Sequence, residues 1–115
     1  MKVLIVEDDI ALLEALKLML SNFDVEIAVN GKDAIEKYKS FKPDIVLMDI
    51  VMPEISGIEA TREILKMDGN AKVLAITAFA KHKGKEMLEA GALEIIEKPF
   101  SKSELIERIK KYVDT

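Results

Sequence analysis

Five short apolar runs alternate with five segments of helical periodicity, and this alternation constrains the fold more than any other feature of the sequence. Continuously apolar runs are typical of parallel strands that are covered on both faces. Because crossovers between parallel strands are right-handed, the repeat predicts an α/β protein, with a doubly wound parallel sheet between helices. The predicted strands cover residues 2–6, 25–29, 44–48, 72–77 and 93–97.

The predicted helices lie between these strands and are bounded by capping and turn residues. They cover residues 10–21, a segment after Asn30-Gly31, residues 58–67 and 81–90, and a last segment capped by Ser101 or Ser103. In the second strand Val25, Ile27 and Val29 alternate with other residues and lie on one side, which suits a strand near a sheet edge.

Composition sets the broad class of the protein. A chain of 115 residues, 50% apolar and 33% charged, is expected to form one globular domain over residues 1–115. The apolar runs are too short for a membrane span, and the start of the chain lacks the features of a signal peptide. The absence of cysteine fits a cytoplasmic location, and the net charge of −4 argues against a nucleic-acid-binding surface.

Polar residues follow the predicted strands at their carboxyl ends, where ligands bind in sheets of this kind. They are Glu7, Asp8 and Asp9 after the first strand, Asp49 after the third, Thr77 at the end of the fourth and Lys98 after the fifth. A carboxylate such as Asp49 among apolar residues is costly unless it is neutralised or hydrogen-bonded. We therefore expect these side chains to form one site.

The clustered carboxylates of Glu7, Asp8 and Asp49 would repel one another unless a cation lies among them. Hard oxygen ligands at an open edge favour Mg²⁺, which binds one or two carboxylates together with phosphate oxygens. Asp49 is then a candidate nucleophile that forms an acyl phosphate.

The remaining groups at this edge suit the oxygens of a phosphoryl group. Lys98 would contact them by charge and Thr77 by its hydroxyl. Backbone N–H groups in the loop after Asp49, beginning at Ile50, and at Ala78 would add donors.

Four motifs at these strand ends resemble those of one known family. They are "VEDD" at 6–9, "DIVMPEISG" at 49–57, "TA" at 77–78 and "EKPF" at 97–100. In this order and spacing, the sequence resembles the receiver domain of two-component response regulators over essentially its whole length. The resemblance implies a flavodoxin-like, CheY-like (βα)5 fold with strand order 2-1-3-4-5. It also implies that Asp49 takes a phosphoryl group from the phosphohistidine of a histidine kinase.

The resemblance also assigns roles to individual residues. Asp8, paired with Glu7, matches the direct magnesium ligand, and the metal would also contact Asp49 and the backbone carbonyl of Val51. Asp9 matches the cap of the first helix instead.

Three further positions matter for the switch that the resemblance implies. Thr77 matches the switch hydroxyl and Lys98 the phosphate-contacting lysine, whose bond to Pro99 is often cis in this family. The family usually carries Tyr or Phe where this chain has Ile95, so the aromatic part of the switch is absent. Phe79 is a second variable position, expected to affect the access of water to the acyl phosphate.

Several functions share this expected fold. The first is a switch that acts by protein contacts on a downstream target and catalyses only its own phosphorylation and dephosphorylation. The second is a relay that passes the group to a histidine phosphotransfer protein. An aspartyl phosphohydrolase would need a second Asp where Val51 stands, and a flavodoxin-like cofactor binder would need a Ser/Thr/Gly-rich loop in place of "EDDIALL".

Overall fold

The computed structural model describes residues 1–52, 54–78 and 80–113, with the backbone alone described for residues 80–82. Five strands and five helices alternate along it, which confirms the predicted order of elements. The strands are β1 (Lys2–Val6), β2 (Asp24–Ala28), β3 (Ile45–Asp49), β4 (Val73–Thr77) and β5 (Glu94–Glu97). The helices are α1 (Ile10–Met19), α2 (Gly31–Phe41), α3 (Gly57–Met67), α4 (Ala80–Ala90) and α5 (Lys102–Tyr112). None of these helices is long and apolar enough to cross a membrane.

The strands form one parallel sheet in the order β2-β1-β3-β4-β5, as predicted. The register places Val6 opposite Met48, and in the next pair of strands Asp49 lies opposite Ile76. On the last pair Thr77 lies opposite Glu97. Because these neighbouring strands end within one residue of each other, the residues that follow them meet at one edge of the sheet.

Helices cover both faces of the sheet, which explains why its strands are continuously apolar. On one face α2, α3 and α4 pack over a cluster that includes Leu4 and Val6 of β1. On the other face α1 and α5 pack over a cluster that includes Val3 and Ile5 of the same strand. Alternate side chains of β1 therefore enter different halves of the core.

Side chains cap several helices and set where they begin. Asn30 accepts a hydrogen bond from the backbone N–H of Asp33 at 2.7 Å and caps α2. Ser101 accepts one from the backbone N–H of Glu104 at 3.1 Å, so Ser101, and not Ser103, is the cap of α5.

Strands β2 to β5 each differ from the predicted bounds by one residue at one or both ends, and two of these differences have a structural reason or bear on the site. The prediction that Val29 lies inside β2 was wrong: the strand ends at Ala28, whose carbonyl accepts the N–H of Glu7, and Val29 is 50% exposed. The chain leaves the sheet there because Asn30 already caps α2. In β3, Asp49 is the last residue of the strand itself instead of the first residue beyond it.

One lysine occupies the outer side of edge strand β2. The ammonium group of Lys37 donates a hydrogen bond to the backbone carbonyl of Ile27. It also lies 3.5 Å from carboxylate oxygens of Glu26 and of Asp33. Lys37 thus joins α2 to this strand.

A second network joins edge strand β5 to α5. The Glu94 carboxylate lies 2.6 Å from Arg108 Nη1 and 3.1 Å from Lys111 Nζ. The hydroxyl of Tyr112 also donates a hydrogen bond to Glu94. Three donors from the C-terminal half of α5 therefore converge on one carboxylate.

Candidate active site

The carboxyl ends of four strands form a cleft of about 250 Å³. It is lined by Glu7, Asp8, Asp9, Asp49, Val51, Thr77, Ala78 and Lys98. The structure thus brings together every strand-end side chain that the sequence predicted for the site. Phe79, the second variable position, lies outside the described residues.

Glu7 is the most constrained carboxylate of the cleft. It is 2% exposed, and its Oε2 accepts the backbone N–H groups of Asp8 at 3.1 Å and Asp9 at 3.2 Å. Its Oε1 lies 3.4 Å from the ammonium group of Lys98. These contacts fix Glu7 and compensate part of its charge.

Asp9 serves the helix that follows it. Its Oδ1 accepts the backbone N–H of Ala11 at 3.0 Å and of Leu12 at 3.4 Å, at the N-terminus of α1. The predicted role of Asp9 as a helix cap is confirmed, and its exposed side chain faces the rim of the cleft.

Asp49 is a buried acid beside another acid. It is 6% exposed, and one of its oxygens lies 3.9 Å from the ammonium group of Lys98. Burial, and then the hydrogen bond and negative charge of Glu7, raise the pKa of Asp49 from 3.8 to about 7. The charge of Lys98 and a hydrogen bond from the Val51 backbone oppose this rise. Asp49 therefore lies where a further positive charge would be favourable.

The donor atoms fit a small divalent cation. One carboxylate oxygen from each of Glu7, Asp8 and Asp49 lies within 4.8 Å of the others. Asp8 is exposed, whereas Glu7 and Asp49 are buried, so a cation could reach the group from solvent through Asp8. Carboxylate and carbonyl oxygens with room for water are the ligands that Mg²⁺ takes in proteins. The cluster could therefore hold such a metal.

Thr77 and Ala78 lie on the side of the cleft formed by β4. Thr77 is 2% exposed, and its carbonyl accepts the backbone N–H of Lys98 at 2.9 Å, which ties the end of β4 to the residue after β5. The bond between Lys98 and Pro99 is cis, in agreement with the family resemblance.

The backbone groups of Ile50 and Val51, directly after Asp49, have different hydrogen-bond partners. The N–H of Ile50, which the sequence predicted as a phosphoryl contact, donates to the Ile76 carbonyl at 3.4 Å and continues the sheet ladder. The Val51 backbone instead hydrogen-bonds to the Asp49 carboxylate, and Val51 lines the cleft. The sequence analysis expected backbone donors in this loop without assigning one to Val51, and the resemblance named Val51 for its carbonyl.

Gly57 is a structural requirement of the site that the sequence analysis did not single out. A Cβ atom at Gly57 would lie 2.0 Å from the backbone oxygen of Asp49. The N–H of Gly57 donates to the Ile50 carbonyl at 3.0 Å. The start of α3 can therefore approach the end of β3 only with glycine at this position.

Ile95 lies in β5 opposite Ala75 of β4. It is partly buried and packs against the cluster under α2, α3 and α4. An aliphatic side chain thus fills the position where the family usually has an aromatic ring.

Comparisons with known proteins agree with this geometry. Residues 3–110 match the family described as the response regulator receiver domain. The chemotaxis protein CheY of Thermotoga maritima is 43% identical over 114 residues, which cover 96% of this chain and 95% of that protein.

Two solved structures share the fold and bear on the site. One is the receiver domain of a Pseudomonas aeruginosa sensor histidine kinase, with a magnesium ion coordinated in its active-site cleft. It superposes with a TM-score of 0.93 at 27% identity, and the match covers 99% of this chain and 98% of that one. A CheX–CheY–BeF3–Mg²⁺ complex from Borrelia burgdorferi gives 0.87 at 32% identity, covering 96% and 87%. With the strand order, the acidic cluster and these matches in agreement, the chain belongs to the family of response regulator receiver domains.

Proposed function

We propose that Asp49 accepts a phosphoryl group from the phosphohistidine of a sensor histidine kinase, and that this changes the contacts of the domain with other proteins. One observation carries the proposal: the buried Asp49 carboxylate lies 3.9 Å from Lys98 and in a cluster with Glu7 and Asp8. The candidate nucleophile, the ammonium group of Lys98 and the candidate metal ligands therefore line one cleft. The likeness to CheY over nearly the whole chain supports it.

In this proposal Mg²⁺ is the cofactor, held by Asp8, Asp49 and the backbone carbonyl of Val51. Glu7 is already held by two backbone N–H groups and by Lys98. We therefore expect it to contribute negative charge beside the ion and not to bind the ion directly. When bound, the ion would neutralise charge on the carboxylates and on the incoming phosphoryl oxygens. The magnesium ion in the cleft of the related P. aeruginosa receiver domain supports this assignment.

In the transfer step, an Asp49 oxygen attacks phosphorus and the bond from phosphorus to the imidazole nitrogen breaks. The donor histidine leaves as imidazole, and Asp49 becomes an acyl phosphate. Lys98 reaches the phosphoryl oxygens by charge, because its ammonium group already lies between Glu7 and Asp49. The Thr77 hydroxyl and the backbone N–H groups of Ala78 and of the loop after Ile50 complete the contacts.

The output of the switch would arise from Thr77 and its surroundings. The hydroxyl would move toward the phosphoryl group, which shifts the balance between two arrangements of the neighbouring loops. Ile95 packs in the core instead of presenting an aromatic ring, so we propose that readout depends on the loops and α4 more than on rotation of this side chain.

The partners in this proposal are a histidine kinase and a downstream protein. The CheY of B. burgdorferi forms a complex with CheX in the presence of BeF3 and Mg²⁺, which supports a protein target here. The single domain would itself catalyse only its own phosphorylation and dephosphorylation. A relay to a histidine phosphotransfer protein is a second candidate, favoured by the likeness to a receiver domain that is part of a sensor kinase.

The test is treatment with acetyl phosphate, followed by intact-mass measurement. We expect one phosphoryl group on the parent protein with Mg²⁺, and none with EDTA or with Asp49→Asn. Asp24→Asn is the matched control, because Asp24 is exposed and begins β2 at the opposite edge of the sheet. Modification of Asp49→Asn to the same extent as the parent would overturn the proposal.

A further inference from the structure

Gly31, the first residue of α2, touches the loop that follows Asp49. A Cβ atom at Gly31 would lie 2.7 Å from the backbone oxygen of Ile55, 2.8 Å from its Cγ2 and 2.9 Å from its Cβ. Real Cβ atoms essentially never come this close to a neighbour. Ile55 can therefore pack against the start of α2 only because Gly31 has no side chain.

Ile55 belongs to the segment of residues 50–56, of which all but residue 53 are described and which joins Asp49 to α3. This segment also contains Val51, which lines the cleft. Its far end is held by Gly57, whose N–H donates to the Ile50 carbonyl. The contact between Gly31 and Ile55 is a second support, two residues before Gly57 in the chain.

The two sides of this contact differ in how easily they can move. Helix α2 is held by its Asn30 cap, by Ala34, which is 0% exposed, and by the Tyr38 hydroxyl, which donates to Asp68 at 2.8 Å. On the loop side, Ile50 and Met52 are buried, whereas Ile55 is half-buried and Val51 is 62% exposed. A methyl group added at position 31 would therefore displace the loop and leave α2 in place.

We propose that Gly31 is a positioning residue for the metal site, and that it acts through Ile55 on the loop segment that carries Val51. The inference rests on the proposed function, since it concerns the site that would hold Mg²⁺. Gly31 itself touches neither the metal nor the reacting atoms. It sets where the loop lies, and thus how well the Val51 carbonyl and the Asp49 carboxylate can bind one ion together.

The experiment measures Mg²⁺ affinity by calorimetry for the parent and for Gly31→Ala. Loss of a group that orients metal ligands costs about 10- to 100-fold in affinity, and we expect the lower end, about tenfold, because the loop is partly free to adjust. Gly69→Ala is the matched control, because a Cβ there meets nothing within 4 Å, and its affinity should equal that of the parent.

A second control separates positioning from general destabilisation. Ile109→Ala removes a buried side chain on the other face of the sheet and should lower the melting temperature without changing Mg²⁺ affinity. In EDTA, the amide NMR signals of Val51 and Ile55 should shift in Gly31→Ala and stay in place in Gly69→Ala. This readout does not depend on bound metal.

Each outcome decides one question. Unchanged Mg²⁺ affinity in Gly31→Ala, with a lowered melting temperature, would show that the contact serves packing alone and would overturn the inference. If Gly31→Ala does not fold, Ile55→Ala tests the same contact from the loop side, and an affinity equal to that of the parent would overturn it. If the parent itself does not bind Mg²⁺, the proposed function fails, whereas the NMR shifts still report whether Gly31 positions the loop.

Discussion

Replacing Asp49 with asparagine should stabilise the metal-free protein at alkaline pH. In the native state a buried Asp49 faces Glu7, and its pKa is raised from 3.8 to about 7. The native state therefore holds this proton more tightly than the unfolded chain does. The resulting stability is fully present below the pKa of the unfolded group and is lost as the pH rises through about 7.

The magnitude follows from the distance between the two pKa values. Each pH unit between 3.8 and about 7 corresponds to about 1.4 kcal/mol, which gives a ceiling of about 4 kcal/mol for the cost of ionising Asp49 in the native state. Because the carboxylate borders a cleft open to water, screening lowers this cost to about 2 kcal/mol. Asparagine has nearly the same shape, carries no charge and can donate its amide N–H to Glu7.

The assay is urea unfolding followed by circular dichroism in EDTA, at about pH 8 and about pH 3.5, which is below the pKa of the unfolded group. We expect Asp49→Asn to exceed the parent by about 2 kcal/mol at the higher pH and to differ little at the lower pH, where the carboxyl group is largely protonated in the native and in the unfolded state. Added Mg²⁺ should stabilise the parent more than the variant, because a ligand that binds only the native state raises its stability. A variant less stable than the parent at the higher pH, or a difference independent of pH, would refute the reasoning.

Three further substitutions test the packing around the site and its supports. Gly57→Ala should destabilise by about 3 kcal/mol or more in urea unfolding, because the new methyl group would meet a backbone oxygen at 2.0 Å; a loss below about 1 kcal/mol would contradict this. Ser101→Ala should lower the free energy of unfolding by about 1 kcal/mol through loss of the α5 cap, whereas Ser103→Ala should change it little; equal effects would contradict the assigned cap. Glu94→Gln should lower the free energy of unfolding at neutral pH, because partners on α5 hold the pKa of Glu94 below its usual value. The difference between parent and variant should vanish in acid, where the parent is protonated, and a difference that persists there would exclude the charge as its cause.

The sequence predicted the elements and the strand-end residues because both leave a local signal. Continuous apolar runs marked the strands, and the carboxyl-end rule placed Glu7, Asp49 and Lys98 together although they are distant in the chain. The cleft in the structure contains all three. Here topology alone was enough to bring the site together.

Contacts between elements were beyond this reasoning. The contact of Ile55 with Gly31 depends on how two segments pack. Neither a glycine nor an isoleucine at these positions predicts it from the sequence. Arg108, Lys111 and Tyr112 share one side of α5 at helical spacing, but this spacing does not tell which residue of which strand they meet. The end of β2 was missed for a related reason, because Val29 continues the alternation while the Asn30 cap already draws the chain away from the sheet.

The position of Lys37 has a consequence for association between copies of the chain. An unpaired strand at the rim of a sheet is a template on which another chain can add a strand, and charged side chains there discourage this. By occupying the Ile27 carbonyl, Lys37 removes an acceptor that an incoming strand would need and sets a positive charge in its path. The lysine thereby disfavours the addition of a strand from a second copy of the chain at β2.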